Sequence, residues 1–243
     1  MRQISIVLLL VLCITSLFAV TKTLPDFKQY KSISERKTAF FSFIKPIIVE
    51  ENKLIAQDRD FMLSFKYKFE NKMDISPKDV KRFKAISKRY KVNSEKLADE
   101  SFWASVNKRI DIIPVELAVI QAAIESGWGT SGFAIQGNNL FGVWTFQKGT
   151  GIVPKERAEG ATHEVRVYKS INASIASYML NLNTNRAYKK LRELRWQLRE
   201  NSKALDASVI CEGLVNYSQL KGEYVTMLKK MIRNNSELIN SIK

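Results

Sequence analysis

The sequence predicts a mainly α fold, α+β in detail: a helical domain with a small β lobe and an N-terminal helical extension. Three observations carry this. Apolar residues recur at helical spacing through most of 34–110 and again through 170–235. The stretch 113–125, IPVELAVIQAAIE, is apolar on almost every side, so a helix there is buried nearly all round. Residues rich in β formers gather only at 143–146, 152–153 and 164–168, too little for more than a two- or three-stranded lobe between helices.

The chain opens with Met1-Arg2 and an apolar run over 4–20, which reads as an export signal, cleaved or kept as an anchor. Leu17-Phe18-Ala19 is a poor cleavage site, and the cleaved form is the preferred reading. Residues 21–33 are mixed and polar and read as a linker. A helical N-terminal region is expected over 34–110 and a second domain over 111–243. In 34–70, Phe40, Phe41, Phe43, Ile44, Ile47 and Ile48 fall on one side and Leu54, Ile55, Phe61, Met62 and Phe65 continue it. Pro46 is expected to restart or kink that helix. Ser76-Pro77 has the form of an N-cap followed by N1. Asn93 or Ser94 is expected to begin the next helix, running to about Val106 with Trp103 in its core. After the lobe, Ser170 begins a helix, and three more segments at 185–199, 202–214 and 219–235 complete the chain.

The 243 residues carry 39 basic and 24 acidic side chains, a net charge of +15, and removing residues 1–20 loses only Arg2. An exported basic protein meets anionic partners, such as cell-wall carboxylates or an anionic envelope surface. Export and the lack of a recognisable module argue against nucleic acid. Two cysteines, Cys13 and Cys211, with Cys13 inside the signal, exclude a disulfide framework in a processed chain. One histidine, His163, and no Cys/His cluster argue against a zinc site, and no cofactor or metal is implied.

Glu125 ends the apolar helix, and Gly127 is a suitable stop. Burial and the negative end of the helix dipole both disfavour the carboxylate, so both raise its pKa. A carboxylic acid protonated near neutral pH is what a general acid requires. The competing reading is a helix cap, or a partner for a buried arginine. Trp128 offers a flat apolar face, and Gly127, Gly129, Gly132 and Gly137 let backbone approach closely. Asn138 and Asn139 bring amides suited to hydroxyl and acetamido groups. This combination suits a sugar.

The pair AAIESGWG at 122–129 and GNNLFG at 137–142 resembles the glucosaminidase family of peptidoglycan hydrolases, glycoside hydrolase family 73, and within it the Bax-like proteins of Gram-negative bacteria. Further similarity lies in GIVPKER at 151–157, HEVRVY at 163–168, SYMLNLNTNRAY at 177–188 and the Y-S…Y segment at 217–224. It covers about 35–235. The resemblance implies a lysozyme-like fold, and the N-terminal signal places it in the periplasm or cell envelope. The implied activity is endo-β-N-acetylglucosaminidase on peptidoglycan glycan strands, with Glu125 as general acid. An N-acetylmuramidase, a lytic transglycosylase and a non-catalytic peptidoglycan-binding protein are the alternatives.

Glycoside hydrolysis ordinarily needs a second group, and the β lobe supplies Glu164 first and Glu156 second. Glu159, beside Gly160, reads as a solvated turn residue. The substrate's own acetamido oxygen is the other route. A cleft tyrosine is a family feature, and here the resemblance points to Tyr217, with Tyr224 and Tyr188 as rivals. Tyr188 and Phe141 join Trp128, Asn138 and Asn139 as expected substrate-binding residues.

Overall fold

The computed structural model describes residues 24–155 and 157–242. The expected export signal over 1–20 and Glu156 lie outside them. Ser32 caps α1 (Ile33–Glu70) through a reciprocal capping box with Glu35. α2 (Pro77–Arg89) starts as its sequence predicts, with Ser76 accepting from the Asp79 amide and Pro77 at the first position. α3 (Glu100–Arg109) begins later than expected, because Asn93 caps a short 3-10 turn over Ser94–Lys96 instead. α4 (Val115–Glu125) is the buried helix, and a short α5 (Gly132–Gly137) follows the turn after it. β1 (Trp144–Thr145), β2 (Gly151–Ile152) and β3 (Glu164–Arg166) form an antiparallel sheet in the order β1-β3-β2. Trp144 pairs with Val165, and Gly151 with Arg166. α6 (Ile171–Thr184), α7 (Lys189–Glu200), α8 (Ala207–Ile210) and α9 (Gly222–Ser241) complete the mainly α, lysozyme-like architecture.

Pro46 does not interrupt α1. It removes one helical donor, but Phe40, Phe41, Ile44 and Ile48 on either side of it are all fully buried against the core. Tertiary packing outweighs the local cost. Lys45 also reaches the Ile239 carbonyl at 2.9 Å, tying this part of α1 to α9. The first half of α1 shares one core with α4, α6, α8 and α9. Its second half, through Met62 and Phe65, builds a second core with α2 and α3, where Phe65 stacks on Phe83 at 4.3 Å.

Two contacts set the position of α4. Asn52, buried on α1, donates to the Ile113 carbonyl at 2.7 Å and accepts from the Ile113 amide at 3.0 Å. At the other end, Gly127 adopts φ +56°. The Gly127 amide then reaches the Ile124 carbonyl, and the Trp128 amide reaches that of Ala123 at 2.7 Å, a Schellman closure. Phe27, in the stretch expected to be a linker, is buried, and a Cβ on Gly129 would meet its ring at 2.5 Å.

Candidate active-site cleft

Glu125 is the last residue of α4, and its carboxyl opens into a cleft of about 720 Å³ between the helices and the β lobe. Phe141, Trp144, Asn181, Tyr188 and Tyr217 also line it. The structure therefore brings four of the expected site residues together: Glu125, Phe141, Tyr188 and Tyr217. Burial raises the Glu125 pKa, and a hydrogen bond from Tyr224 draws it partly back. Among the described residues no cation pairs with it. The buried arginine that could have claimed it, Arg195, instead lies 3.8 Å from Asp111, which Arg199 also holds at 2.9 Å.

A buried polar chain supports the acid. The Tyr178 hydroxyl donates to Gln121 Oε1 at 2.5 Å, Gln121 Nε2 donates to the Tyr224 hydroxyl at 3.1 Å, and Tyr224 donates to Glu125 Oε1 at 2.5 Å. Gln121 lies one helical turn before Glu125, so both side chains leave the same face of α4. Sequence reasoning passed over Gln121, although it is the one polar side chain between Glu116 and Glu125. Aromatic stacking fixes the chain laterally. Phe141 stacks on Tyr178 at 3.8 Å and Tyr217 on Tyr224 at 5.6 Å. The Tyr217 hydroxyl donates to the Phe141 carbonyl at 3.1 Å.

Other expected residues lie elsewhere. Trp128 packs its ring on Phe40 and Phe41, with centroids 5.9 and 5.3 Å away, and does not line the cleft. It holds φ +60°, a conformation a bulky residue keeps only where packing and the Schellman bond enforce it. Asn139 is buried and fully engaged. Its amide donates to the Val143 and Arg166 carbonyls at 2.9 and 2.8 Å, and its oxygen accepts from the Phe141 and Val143 amides. Asn138, at φ +50°, caps α5 and donates to the Tyr168 carbonyl. Both amides shape the loop instead of facing the cleft.

Glu164 is also placed away from the cleft. Its two oxygens accept from the Gly149 amide at 2.9 Å and the Gly151 amide at 2.8 Å, and these bonds hold its pKa below the usual carboxylate value. It is a clamp on the 147–151 turn. Glu156 lies outside the described residues. Tyr224, a rival to Tyr217, is the phenol that contacts the acid.

Sequence reasoning missed Trp144, noted there only as a β former. It is 53% exposed, lines the cleft, and is braced from behind by His163 stacked at 4.1 Å. Period-2 alternation points its side chain away from the buried Thr145, which was the available signal. Among the described residues no group of three or more His, Cys, Asp or Glu could hold a metal ion.

Residues 100–237 match the family model described as Glucosaminidase, mannosyl-glycoprotein endo-beta-N-acetylglucosaminidase. The chain belongs to the glucosaminidase family. It is also 34% identical over 224 residues to Protein bax of Escherichia coli (strain K12), covering 91% of this chain and 77% of that protein. No solved structure matches. This Bax-like member of the glucosaminidase family is thus a glycosidase-type protein with a glycan substrate. The match spans α3 to α9 and takes in every cleft residue named above.

Proposed function

We propose that the chain is an exported endo-β-N-acetylglucosaminidase that cuts the β-1,4 bond on the reducing side of N-acetylglucosamine in peptidoglycan strands. The observation that supports this most is Glu125, a half-buried acid without a cationic partner among the described residues, at the wall of a strand-sized cleft. Glu125 gives its proton to the leaving glycosidic oxygen as the C1–O bond breaks. Among the described residues lining the cleft, Glu125 is the one carboxylate. That favours the acetamido-assisted route. The 2-acetamido oxygen attacks C1 to give an oxazolinium ion. Water then opens the ion, returning a proton to Glu125.

Glu125→Gln tests the reading on sacculi and in a zymogram. Removing a general acid costs about 10²–10⁴ in rate. Products ending in reducing N-acetylglucosamine support the proposed bond. Reducing N-acetylmuramic acid would indicate a muramidase, and anhydro-muramyl ends a lytic transglycosylase. Wild-type protein that binds the wall without cutting it would overturn the enzymatic reading. Glu156→Gln beside it asks whether a loop carboxylate assists; a loss matching that of Glu125→Gln would replace the acetamido route. Export rests on residues 1–20, and a fusion of residues 1–30 to a reporter active only outside the cytoplasm tests it.

A further inference from the structure

Two further concavities adjoin the cleft. Lys91, on its rim, also lines a neighbouring concavity of about 160 Å³ with Lys96 and Arg109. Arg109 leads in turn into a third, about 290 Å³, between α3 and α7, walled by Lys108, Arg186, Lys189 and Arg192. One carboxylate, Glu193, faces these seven cations, and Lys108 already holds it at 2.9 Å.

Two of the guanidinium groups are anchored without being neutralised. Arg109 donates to the carbonyls of Tyr90 and Lys91 at 3.2 and 2.9 Å. Arg192 donates to those of Leu182 and Asn185, both at 2.8 Å. Arg192 is only 5% exposed. Burial and the neighbouring Arg109 charge push its pKa down, and Glu193 offsets this only in part. Arginine forks held in place by backbone suit planar carboxylates, which they bind bidentately.

We propose that this groove binds the carboxylates of the peptide stems carried by the glycan strand lying in the cleft. The inference rests on the reading of the cleft as a peptidoglycan site. Continuity selects the ligand. Lys91 lines both the cleft and the groove, and Asn185 lines the cleft while its carbonyl anchors Arg192. A ligand filling both must be a glycan with anionic branches, and in peptidoglycan every second sugar bears a lactyl-linked peptide ending in carboxylates.

The test compares glycan strands carrying stems with the same strands cut free of them by an amidase, which leaves only a lactyl carboxylate on the sugar. The variant is Lys96→Ser/Arg186→Ser/Lys189→Ser, three exposed positions. Exposed ion pairs contribute little each, so their joint loss should raise KM on stem-bearing strands about tenfold at unchanged kcat. Stripped strands should be cut equally by both proteins. Wild-type KM on stem-bearing strands should also rise with salt. Equal KM for the two proteins on stem-bearing strands, or the same loss on both substrates, overturns the proposal. Failure of the cleft reading is separable by calorimetry on Glu125→Gln protein, using a free stem peptide and its carboxyl-amidated form. Binding of the free peptide alone, lost in the triple variant, supports the groove even if no strand is cut. Equal binding of the two peptides, or displacement of the stem by inorganic phosphate at lower concentration, overturns it.

Discussion

Tyr224 donates its phenolic proton to Glu125 Oε1 across 2.5 Å, and Gln121 settles the direction of that bond. Because Gln121 Nε2 donates to the Tyr224 oxygen, the Tyr224 proton has to point at the carboxyl. The Gln121 oxygen accepts from Tyr178, so the amide bridges the two phenols. Oε1 is therefore an acceptor, and the acidic proton is left to Oε2.

Tyr224→Phe should move the alkaline limb of the kcat/KM profile to higher pH. The phenol's hydrogen bond favours the carboxylate and works against burial, so its loss raises the Glu125 pKa further and keeps the acid protonated longer. The maximal rate should fall, because the acid loses its orientation. A limb that stays in place or moves down would show that Tyr224 does not act on Glu125.

Gln121→Leu should lower stability as well as rate. It strands the buried Tyr178 hydroxyl, at a cost of about 1–3 kcal/mol, while Tyr224 keeps its bond to Glu125. Urea unfolding measures the first effect. A variant as stable as wild type would mean that the polar chain is replaceable by packing.

These residues also mark what was legible in the sequence. An acid closing an apolar helix, followed by Gly127, is a local pattern, and local patterns located Glu125, the Ser76 and Ser170 caps, and the β lobe. Residues whose role depends on a distant partner were not legible. Glu164 and Arg166, two apart, share one face of β3, but the 147–151 turn folds over one and leaves the other facing the cleft. Trp128 and Trp144 look alike in composition. Only the first is packed on α1, by Phe40 and Phe41, more than 85 residues earlier in the chain. Pro46 predicts a break that only the surrounding core overrides.

Trp144→Ala should weaken substrate binding without touching the acid. Its half-exposed ring, braced by His163, offers the cleft a flat face. Aromatic stacking is worth about 0.5–1.5 kcal/mol, so KM should rise about two- to tenfold at similar kcat. A fall in kcat at unchanged KM would place Trp144 in the chemistry instead.

Asp111→Asn should be the more damaging change for the fold. It leaves the buried Arg195 charge without its carboxylate, and breaking such a pair costs about 3–5 kcal/mol. Burial pushes the Asp111 pKa up, but the Arg199 hydrogen bond and the charges of Arg195 and Arg59 outweigh it and hold the value below the usual range. A depressed pKa contributes stability that is complete above the ordinary aspartate value and is lost as pH falls through the lower folded value. Wild-type protein should therefore lose stability in acid, and the variant, already lacking the contribution, should show a flatter acid limb in denaturant unfolding. Parallel acid limbs would count against the pair.

Glu125→Gln should give the opposite stability pattern. Here the folded pKa is raised, so the folded state holds a proton that the unfolded chain releases. Between the ordinary glutamate value and the raised one, the unfolded state binds fewer protons, and stability falls as pH rises. Above that window the wild type carries a desolvated charge that glutamine cannot acquire, while the amide oxygen still accepts from Tyr224. Melting temperatures of the two proteins should thus coincide at low pH and separate through the window, with the variant the more stable. Wild-type activity should disappear over the same window, because ionisation removes the proton needed by the leaving oxygen. A variant less stable at every pH would mean that Glu125 holds the fold together, and the assignment of the acid would have to move elsewhere in the cleft.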